Sequence, residues 1–427
     1  MHDFKQGIRL ITAASTHLPD HRASAADEDY AAVLAGRVII GAVLFNPVLA
    51  IINGHVKGLS DKSVIACEVI LFASALLLAL RRYQSAMVPW FLLMLVAAAF
   101  AILRLAGTGV FEPKYLRDAL LIPTFILLGM TVSPHRITRT IVIVTAIAVA
   151  VELFEALFLD AYRDLFKVQD YYISTRGYSP EQFWDEEIAL FPSAFRDDRM
   201  LPFVDLHRLS SVFLEPVSLG NYCAVLFAYL LAWGRNLPRA TYLFLMTSVI
   251  VLLVGCDGRL AFVGMLLILA VSLIAPLLPK YSAALYLPAS VIAVCLLTWL
   301  ANLNPDGNDF PSRLALTAYL MQTFGPMEFF GLSDKFAVQA ADSGIAYWIT
   351  TQSALGVAIM WLFIVFGARH ETAPQVRYLH AIALYLSVTM LVSASYASIK
   401  TAALMWFIFG ALQNDFVRQR IARDPNL

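Results

Sequence analysis

Residues 241–278, TYLFLMTSVIVLLVGCDGRLAFVGMLLILAVSLIAPLL, consist of two apolar runs joined by a very short polar turn. The runs, 241–256 and 260–278, approach the ~20 residues that a helix needs to cross a hydrocarbon core about 30 Å thick. The turn between them contains Asp257 and Arg259 on either side of a glycine. The stretch therefore predicts two antiparallel membrane-spanning helices with charged residues at their shared end.

The apolar character extends through the whole chain. Of its 427 residues, 59% are hydrophobic and only 15% are charged, and the mean hydropathy is +0.70. These values are typical of an all-α polytopic membrane protein and not of a soluble domain. The formal net charge is 0, so no basic field points to nucleic acid as a partner. The four cysteines have no metal-ligand spacing, and with no nucleotide fingerprint present we expect neither a metal nor a cofactor.

The length rule predicts about twelve spans. The chain then divides into an N-terminal tail, 1–32, a transmembrane region, 33–413, and a C-terminal tail, 414–427. The predicted spans are 33–53, 63–80, 87–103, 118–132, 140–159, 211–233, 241–256, 260–278, 282–302, 343–366, 378–395 and 399–413.

Lys and Arg residues concentrate in alternate short loops, and such loops face the cytoplasm. Examples are RRYQ (81–84), PHRITR (134–139) and GARHETAPQVR (367–377). Both termini are therefore expected in the cytoplasm, and two long loops, about 160–210 and 303–342, on the other side. We find no matched pair of Gly- or Pro-broken halves, which a transporter built of inverted repeats would have.

Ionisable residues inside spans are costly and mark either a function or a paired structural site. With this orientation they fall in the outer half of their spans, with Arg37 as the exception, so the sequence predicts a polar site at the outer boundary. Glu152 and Glu155 share one helix face and can bind a cation, pair with arginines or snorkel to the interface. The outer residues are Glu68, Arg104, Glu152, Glu155, Glu215, Asp257, Arg259 and Lys400.

Two motifs concentrate these residues. In HRLSSVFLEPVSLGNY (207–222), Arg208 and Glu215 are seven residues apart, which corresponds to two turns on one face of a helix. Pro216 is expected to loosen that helix beside the carboxylate, and the alternative is an Arg–Glu pair that locks a helix end. In GCDGRLAF (255–262), the glycine lets backbone approach a ligand, and Arg259 either faces phosphate or snorkels from a hairpin turn.

The two long loops add further candidates. The second contains Arg313, in a short helix expected from Pro311, and Asp342 just before the next span. The first is rich in aromatic and acidic residues, which suit sugar rings or, alternatively, the membrane interface. Arginines around an outer cavity suit an anionic lipid headgroup, pyrophosphate above all. The loop residues concerned are Tyr171, Tyr172, Tyr178, Phe183, Trp184, the acids 185–187 and RDDR at 196–199.

Three stretches resemble a known family. HRLSSVFLEPVSLGNY is similar to the motif of Wzy-type polysaccharide polymerases, in the superfamily of O-antigen polymerases and ligases. GCDGRLAFVG resembles the family's short loop that ends in arginine, and ADSGIAYWITTQSALGVAIMWLF the segment after its long outer loop. With the topology, the resemblance covers residues 33–413. It implies a GT-C-like glycosyltransferase of the bacterial inner membrane, with undecaprenyl-pyrophosphate-linked glycans as donor and acceptor.

The resemblance also implies roles for individual residues. Arg208, Arg259 and Arg313 would hold the leaving pyrophosphate in place of a metal. Glu215 would be the general base, with burial raising its pKa and Arg208 opposing that shift, and His207 and Asp342 are the alternatives. The further substrate-binding candidates are Asp257, Arg104 and Lys400. A chain-length regulator, a flippase and membrane lipids would be partners.

Three other functions remain open. The ligases that pass polymer to lipid A core resemble one another in a histidine of the second long loop, and residues 303–342 contain none. A transporter of a lipid-linked glycan would carry charges through the midplane. A non-catalytic scaffold would use the polar residues only to hold helices together.

Overall fold

The computed structural model describes residues 25–183, 190–195, 200–201, 206–307, 309–340 and 342–414. Within these ranges every regular element is a helix. The α-helices are α1 (Ala25–His55), α2 (Asp61–Arg81), α3 (Val88–Thr108), α4 (Pro113–Met130), α5 (Pro134–Leu157), α6 (Leu159–Phe166), α7 (Val168–Arg176), α8 (Pro216–Trp233), α9 (Arg239–Cys256), α10 (Arg259–Ile274), α11 (Tyr286–Ala301), α12 (Phe310–Thr323), α13 (Pro326–Phe329), α14 (Ala337–Ala340), α15 (Gly344–Phe366), α16 (Ala373–Thr389) and α17 (Ile399–Leu412).

Nine helices in the described part of the chain are long and apolar enough to cross a membrane: α1, α2, α3, α5, α8, α9, α10, α11 and α15. The prediction of an all-α polytopic membrane protein is therefore confirmed. The other three predicted spans, 118–132, 378–395 and 399–413, coincide with α4, α16 and α17, which are shorter or more polar. Helix α4 carries three charged side chains in its first two turns, at Lys114, Arg117 and Asp118.

The short helix α17 lies at the centre of the bundle. All 14 of its residues are buried, although at 1.5 Å per residue it extends only ~21 Å. By contrast, only 17% of the span of α11 is buried, as expected for a helix that faces lipid. Sequence hydropathy does not separate these two cases, because both helices are apolar.

Helices α4 and α17 cross at two glycines. A Cβ atom built on Gly410 would overlap the carbonyl of Ile126, and one built on Gly129 would overlap the carbonyl of Phe407. Small residues at such a crossing let two backbones approach closely within a membrane. This contact fixes the depth at which α17 sits, and with it the position of Lys400 in its first turn.

The structure corrects the span predicted at 211–233. Helix α8 begins at Pro216, and Glu215 is its extended N-cap residue with φ −155°. Arg208 and Glu215 therefore do not share a helix face, and Pro216 starts the helix instead of loosening it. In the second long loop, α12 contains Pro311 and Arg313 as expected, with Asp309 accepting a hydrogen bond from the Ser312 N–H (2.9 Å).

Several sequence predictions concern residues outside the described ranges. They include most of the N-terminal tail, the C-terminal tail after residue 414, Trp184, and the acidic and basic runs at 185–187 and 196–199. The rest of the first long loop contains α6 and α7.

The glycine crossing generates a first prediction. Replacing Gly410→Ala should destabilise the fold by about 1–3 kcal/mol, because the new methyl group meets backbone that cannot rotate away. Thermal unfolding of the purified protein in detergent would show a lower midpoint. Gly58→Ala is the matched control, since a Cβ there meets nothing within 4 Å. Equal midpoints for the two variants would contradict the close crossing.

Candidate functional site

The segment from His207 to Glu215 is irregular backbone inside the bundle. Residues 208–214 are all buried, and the only regular element is a single 3₁₀ turn, Ser211–Phe213. Ser211 (φ 51°) and Leu214 (φ 57°) adopt left-handed conformations that cost side-chain-bearing residues energy. Non-helical backbone at membrane depth persists only where protein groups bind its N–H and C=O groups.

Glu155 holds one side of this segment. Its Oε2 accepts hydrogen bonds from the N–H groups of Ser210 (2.9 Å) and Ser211 (2.7 Å). Its Oε1 lies 3.1 Å from Nε2 of His207. The Tyr162 hydroxyl donates to the Ser211 carbonyl at 2.8 Å. Glu155 is 0% exposed, so the interfacial snorkelling considered for it does not occur.

Lys400 holds the other side. Its Nζ donates to the carbonyl of Phe213 at 2.8 Å and to Oε2 of Glu215 at 3.0 Å. The hydroxyl of Ser218 donates to the same carboxylate at 2.7 Å. Lys400 and Glu215, both predicted as site residues, are thus brought together as an ion pair.

The surroundings of Glu215 keep its carboxyl charged. Burial alone would raise the pKa of Glu215, but Lys400, the Ser218 hydrogen bond and the charge of Arg176 outweigh burial and lower it. The pair therefore stabilises the fold above the ordinary carboxyl pKa, and this contribution is lost only as the pH falls through the lowered value. A carboxylate with a lowered pKa is a weak proton acceptor, so the geometry disfavours Glu215 as the general base.

Arg208 contacts the turn that follows α9. Its Nε donates to the carbonyl of Cys256 and its Nη1 to that of Ser193, both at 3.0 Å. The Leu209 N–H donates to the carbonyl of Gly255 at 2.9 Å. Arg208 and Glu215 therefore have different described partners, Arg208 the backbone of this turn and Glu215 the ammonium of Lys400.

The turn itself carries two more predicted residues. Asp257 (φ 44°) is buried and accepts hydrogen bonds from the N–H groups of Met200 (3.0 Å) and Leu201 (3.1 Å). Arg259 is exposed and begins α10. The structure thus groups His207, Arg208, Asp257 and Arg259 around one turn, as the two motifs suggested.

The charge of Glu215 reaches two tyrosines of the first long loop. The rings of Tyr172 and Tyr178 lie 5.6 Å apart between centroids. Burial, and after it the negative charge of Glu215, raises the pKa of Tyr178 to about 12. The same two causes raise the pKa of Tyr172 well above its ordinary value. These tyrosines therefore remain neutral hydroxyl donors next to an ionised carboxylate.

Arg176 is a cation that the sequence reading missed. It is exposed at the end of α7, and its Nη2 donates to Oδ1 of Asn46 at 3.1 Å. The Tyr171 hydroxyl donates to the same oxygen at 2.7 Å. Arg176 lies in the first long loop, after Tyr171 and Tyr172 and outside every predicted span. The sequence therefore gave no sign that it approaches Glu215.

Arg104 belongs to a separate cluster. Its Nη1 donates to the carbonyls of Gly331 (2.9 Å) and Thr350, and its Nη2 pairs with Asp334. The guanidinium also lies 4.9 Å from the ring centroid of Tyr115. The Thr350 carbonyl precedes a break in α15 at Ser353 (φ 63°), so Arg104 satisfies backbone that the broken helix exposes.

The same cluster continues along α4 and α2. Arg117 donates to Glu68 (2.7 Å) and to Asp118 (2.6 Å), and the Tyr347 hydroxyl donates to Asp118 at 2.5 Å. The sequence could have predicted that Arg117 and Asp118 are paired, because two adjacent charges at the start of a predicted span require partners. Glu68 is one of these partners.

Two predicted residues lie apart from the segment. Arg313 is half-buried in the first turn of α12, and Asp342 is exposed just before Ser343, the N-cap of α15. Among the described residues, no side-chain contact joins either of them to His207–Glu215.

Glu152 lies one helical turn before Glu155 against the turn after α9. It is 1% exposed, so it does not snorkel either, and a Cβ on Gly255 would overlap its carboxylate. Neither carboxylate oxygen accepts a hydrogen bond from the described residues. The buried Asp, Glu, Lys and Arg side chains of the described spans lie where α2, α4 and α17 begin and where α3, α5 and α9 end, which is one end of the bundle.

The Glu215–Lys400 pair generates a second prediction. Lys400→Met should destabilise the protein by on the order of 2–3 kcal/mol, because it leaves a partly buried carboxylate and the Phe213 carbonyl without their donor. The double variant Lys400→Met/Glu215→Gln should recover about 1 kcal/mol or more, which thermal unfolding in detergent would measure. Strictly additive losses would contradict the pairing.

Comparisons with protein-family models, with curated protein sequences and with solved structures give no match.

Proposed function

We propose that the protein is a glycosyltransferase of the bacterial inner membrane that polymerises undecaprenyl-pyrophosphate-linked oligosaccharide units on the periplasmic side. The observation that carries the proposal is the buried irregular segment His207–Glu215. It has a His–Glu dyad on one side, a Glu–Lys pair on the other, and tyrosines and arginines beside it. Strained, over-determined backbone of this kind clusters at functional sites.

The dyad supplies the proton acceptor. Glu155 is fixed by two backbone N–H groups and lies 3.1 Å from Nε2 of His207, which favours the imidazole tautomer with its proton on Nε2. The other ring nitrogen, Nδ1, then carries the lone pair that accepts a proton. His207 therefore replaces Glu215 as the general base in this proposal.

The reaction step is an exchange of one bond for another. A hydroxyl oxygen of the acceptor sugar forms a bond to the anomeric carbon of the donor chain, and its proton passes to His207. The bond between that carbon and the phosphate oxygen breaks, and undecaprenyl pyrophosphate leaves with the electron pair. No oxidation or reduction takes place.

Cations at the mouth of the site stabilise the leaving group. Arg259 is exposed at the turn after α9, and the charge of Arg176 acts on Glu215. Preorganised guanidinium groups can take the role that a metal ion has in other transferases. Arg208 acts mainly as a positioning residue, because it donates to two backbone carbonyls. Arg313, Asp342 and Arg104 would reach substrate only at the second long loop.

The tyrosines fit the sugars. Tyr178 is half-buried and offers aromatic surface and a neutral hydroxyl group within the field of the ionised Glu215, while Tyr172 is buried and packs against its ring; sugars bind through aromatic surface and hydroxyl groups. Glu215 would accept hydrogen bonds from sugar hydroxyls while Lys400 holds it in place.

The proposal also specifies the number of spans and their orientation in the membrane. The three short helices α4, α16 and α17 would complete about twelve spans in a GT-C-like arrangement. Both termini would lie in the cytoplasm, because the basic loops mark that side. The end of the bundle that carries the site would then face the periplasm.

Two rival functions have less support. An O-antigen ligase would be expected to have a histidine in the second long loop, and residues 303–342 contain none. A transporter would need charges through the midplane, whereas the buried charged side chains in the described spans lie at one end of the bundle.

A third prediction tests the assigned base. His207→Gln should reduce polymer formation by about 10²–10⁴-fold, because a general base contributes that much. Polymer length on gels and the lipid-linked glycans in membranes would be measured. His55→Gln is the matched control: His55 is exposed and, among the described residues, hydrogen-bonds to the Leu165 carbonyl away from the site, so polymer should remain at the wild-type level.

The glycolipid that accumulates discriminates among the rivals. A polymerase defect leaves single lipid-linked repeats accessible from outside, and a ligase defect leaves free lipid-linked polymer. Repeats that remain on the cytoplasmic side would identify a transporter. Normal polymer in a stably expressed His207→Gln variant would contradict the proposed base.

A further inference from the structure

A second cluster of titratable residues lies at the opposite end of the bundle. Two connections meet there, 275–285 between α10 and α11 and 367–372 between α15 and α16. They bring together Lys280, Tyr281 and His370 with Tyr286 on α11 and His380 on α16. None of these residues takes part in the candidate site.

His380 is buried with one nitrogen unsatisfied. It is 1% exposed, and its Nδ1 lies 2.7 Å from the hydroxyl of Tyr286. Its Nε2 has no hydrogen-bond partner among the described residues. If the tyrosine donates to Nδ1, the proton of the neutral imidazole is on Nε2 and needs an acceptor. A buried N–H without an acceptor costs about 1–3 kcal/mol, so a bound acceptor is favoured here.

His370 is the second histidine of the cluster and lies near the cation of Lys280. Both of its ring nitrogens are buried, and neither makes a hydrogen bond of good geometry to the described residues, although the Ala368 backbone is close enough to interact with the ring. Its ring lies 5.1 Å from that of Tyr281 between centroids, and Nζ of Lys280 lies 5.1 Å from the Tyr281 ring. Burial, and after it the charge of Lys280, lowers the pKa of His370, so the imidazole is neutral at pH 7 and offers one N–H donor.

We propose that this cluster binds a phosphate group. The two imidazoles and a lysine ammonium supply donors and positive charge, and Glu371, the carboxylate that follows His370 in the chain, is exposed to solvent. A metal cation would be repelled by Lys280, whereas a phosphate group has several acceptor oxygens for donors from the two connections and from α16. Basic pockets between helices at this depth are suited to anionic headgroups.

The phosphate can belong to a lipid or be free in solution. A lipid would have apolar surface next to its headgroup: Leu287, which follows Tyr286, lines an apolar pocket together with Trp361 and Leu386. The proposal does not depend on the polymerase function, because the cluster and the candidate site lie at opposite ends of the bundle.

Thermal unfolding of the full-length protein in a neutral detergent tests the site. The probes are inorganic phosphate, phosphatidylglycerol and, as a zwitterionic comparison, phosphatidylcholine. The variant Lys280→Gln/His370→Gln changes an exposed and a half-buried residue, which makes misfolding a minor concern, and its unliganded midpoint is checked first. Arg235→Gln, an exposed cation at the same end of the bundle, is the matched control.

The expected result is that phosphatidylglycerol or phosphate raises the wild-type midpoint, with at least tenfold weaker apparent affinity in the double variant and unchanged affinity in Arg235→Gln. A response to phosphatidylglycerol alone identifies a lipid headgroup, and a response to both identifies phosphate itself. The proposal is overturned if neither probe raises the wild-type midpoint, if phosphatidylcholine acts as strongly as phosphatidylglycerol, if the double variant responds like the wild type, or if Arg235→Gln loses as much affinity.

Discussion

The polar backbone of His207–Glu215 must be satisfied inside an apolar bundle, and the surrounding helices are arranged to do so. Two charged side chains of opposite sign bind the polar groups of this segment. Glu155 accepts from N–H groups on one side of the segment, and Lys400 donates to a carbonyl and a carboxylate on the other. Because the segment is buried, removing Glu155 leaves two N–H groups without their acceptor, and removing Lys400 leaves the Phe213 carbonyl without this donor. The charges are therefore tolerated in the membrane as the binding partners of irregular chain.

The same constraint explains the position of the short central helix. Lys400 can reach Phe213 only if α17 begins near the end of the bundle that carries the site, and the glycine contact between Gly410 and α4 fixes that depth. Around this centre, Arg208 secures the turn after α9 and Arg104 secures the broken helix α15. Each of three non-helical stretches is thus bound by a buried cation: 207–215 by Lys400, the turn after α9 by Arg208, and the break in α15 by Arg104.

The sequence predicted the membrane class, the turn with Asp257 and Arg259, and the gathering of charges at one end, because these depend on local hydropathy and on alternating connectivity. It misread the motif at Arg208, because a spacing of seven residues means two turns only if the residues are helical. The pair Glu215-Pro216 is an equally good signal for a helix start, with proline in the first turn. The partner of Glu215 could not be read locally, since Lys400 lies 185 residues away. Arg176 was missed because only the folded loop brings it near a carboxylate.

The position of Lys400 in the chain has a consequence for biosynthesis. A membrane protein emerges from the ribosome from its N-terminus, and the segment around Phe213 is inserted long before α17 is made. Until that last helix arrives, the Phe213 carbonyl and Glu215 lack their cation and the glycine face of α4 lacks its neighbour. The nascent bundle must therefore stay open, or keep these groups hydrated or shielded by the insertion machinery, and it closes only when nearly the whole chain has been translated.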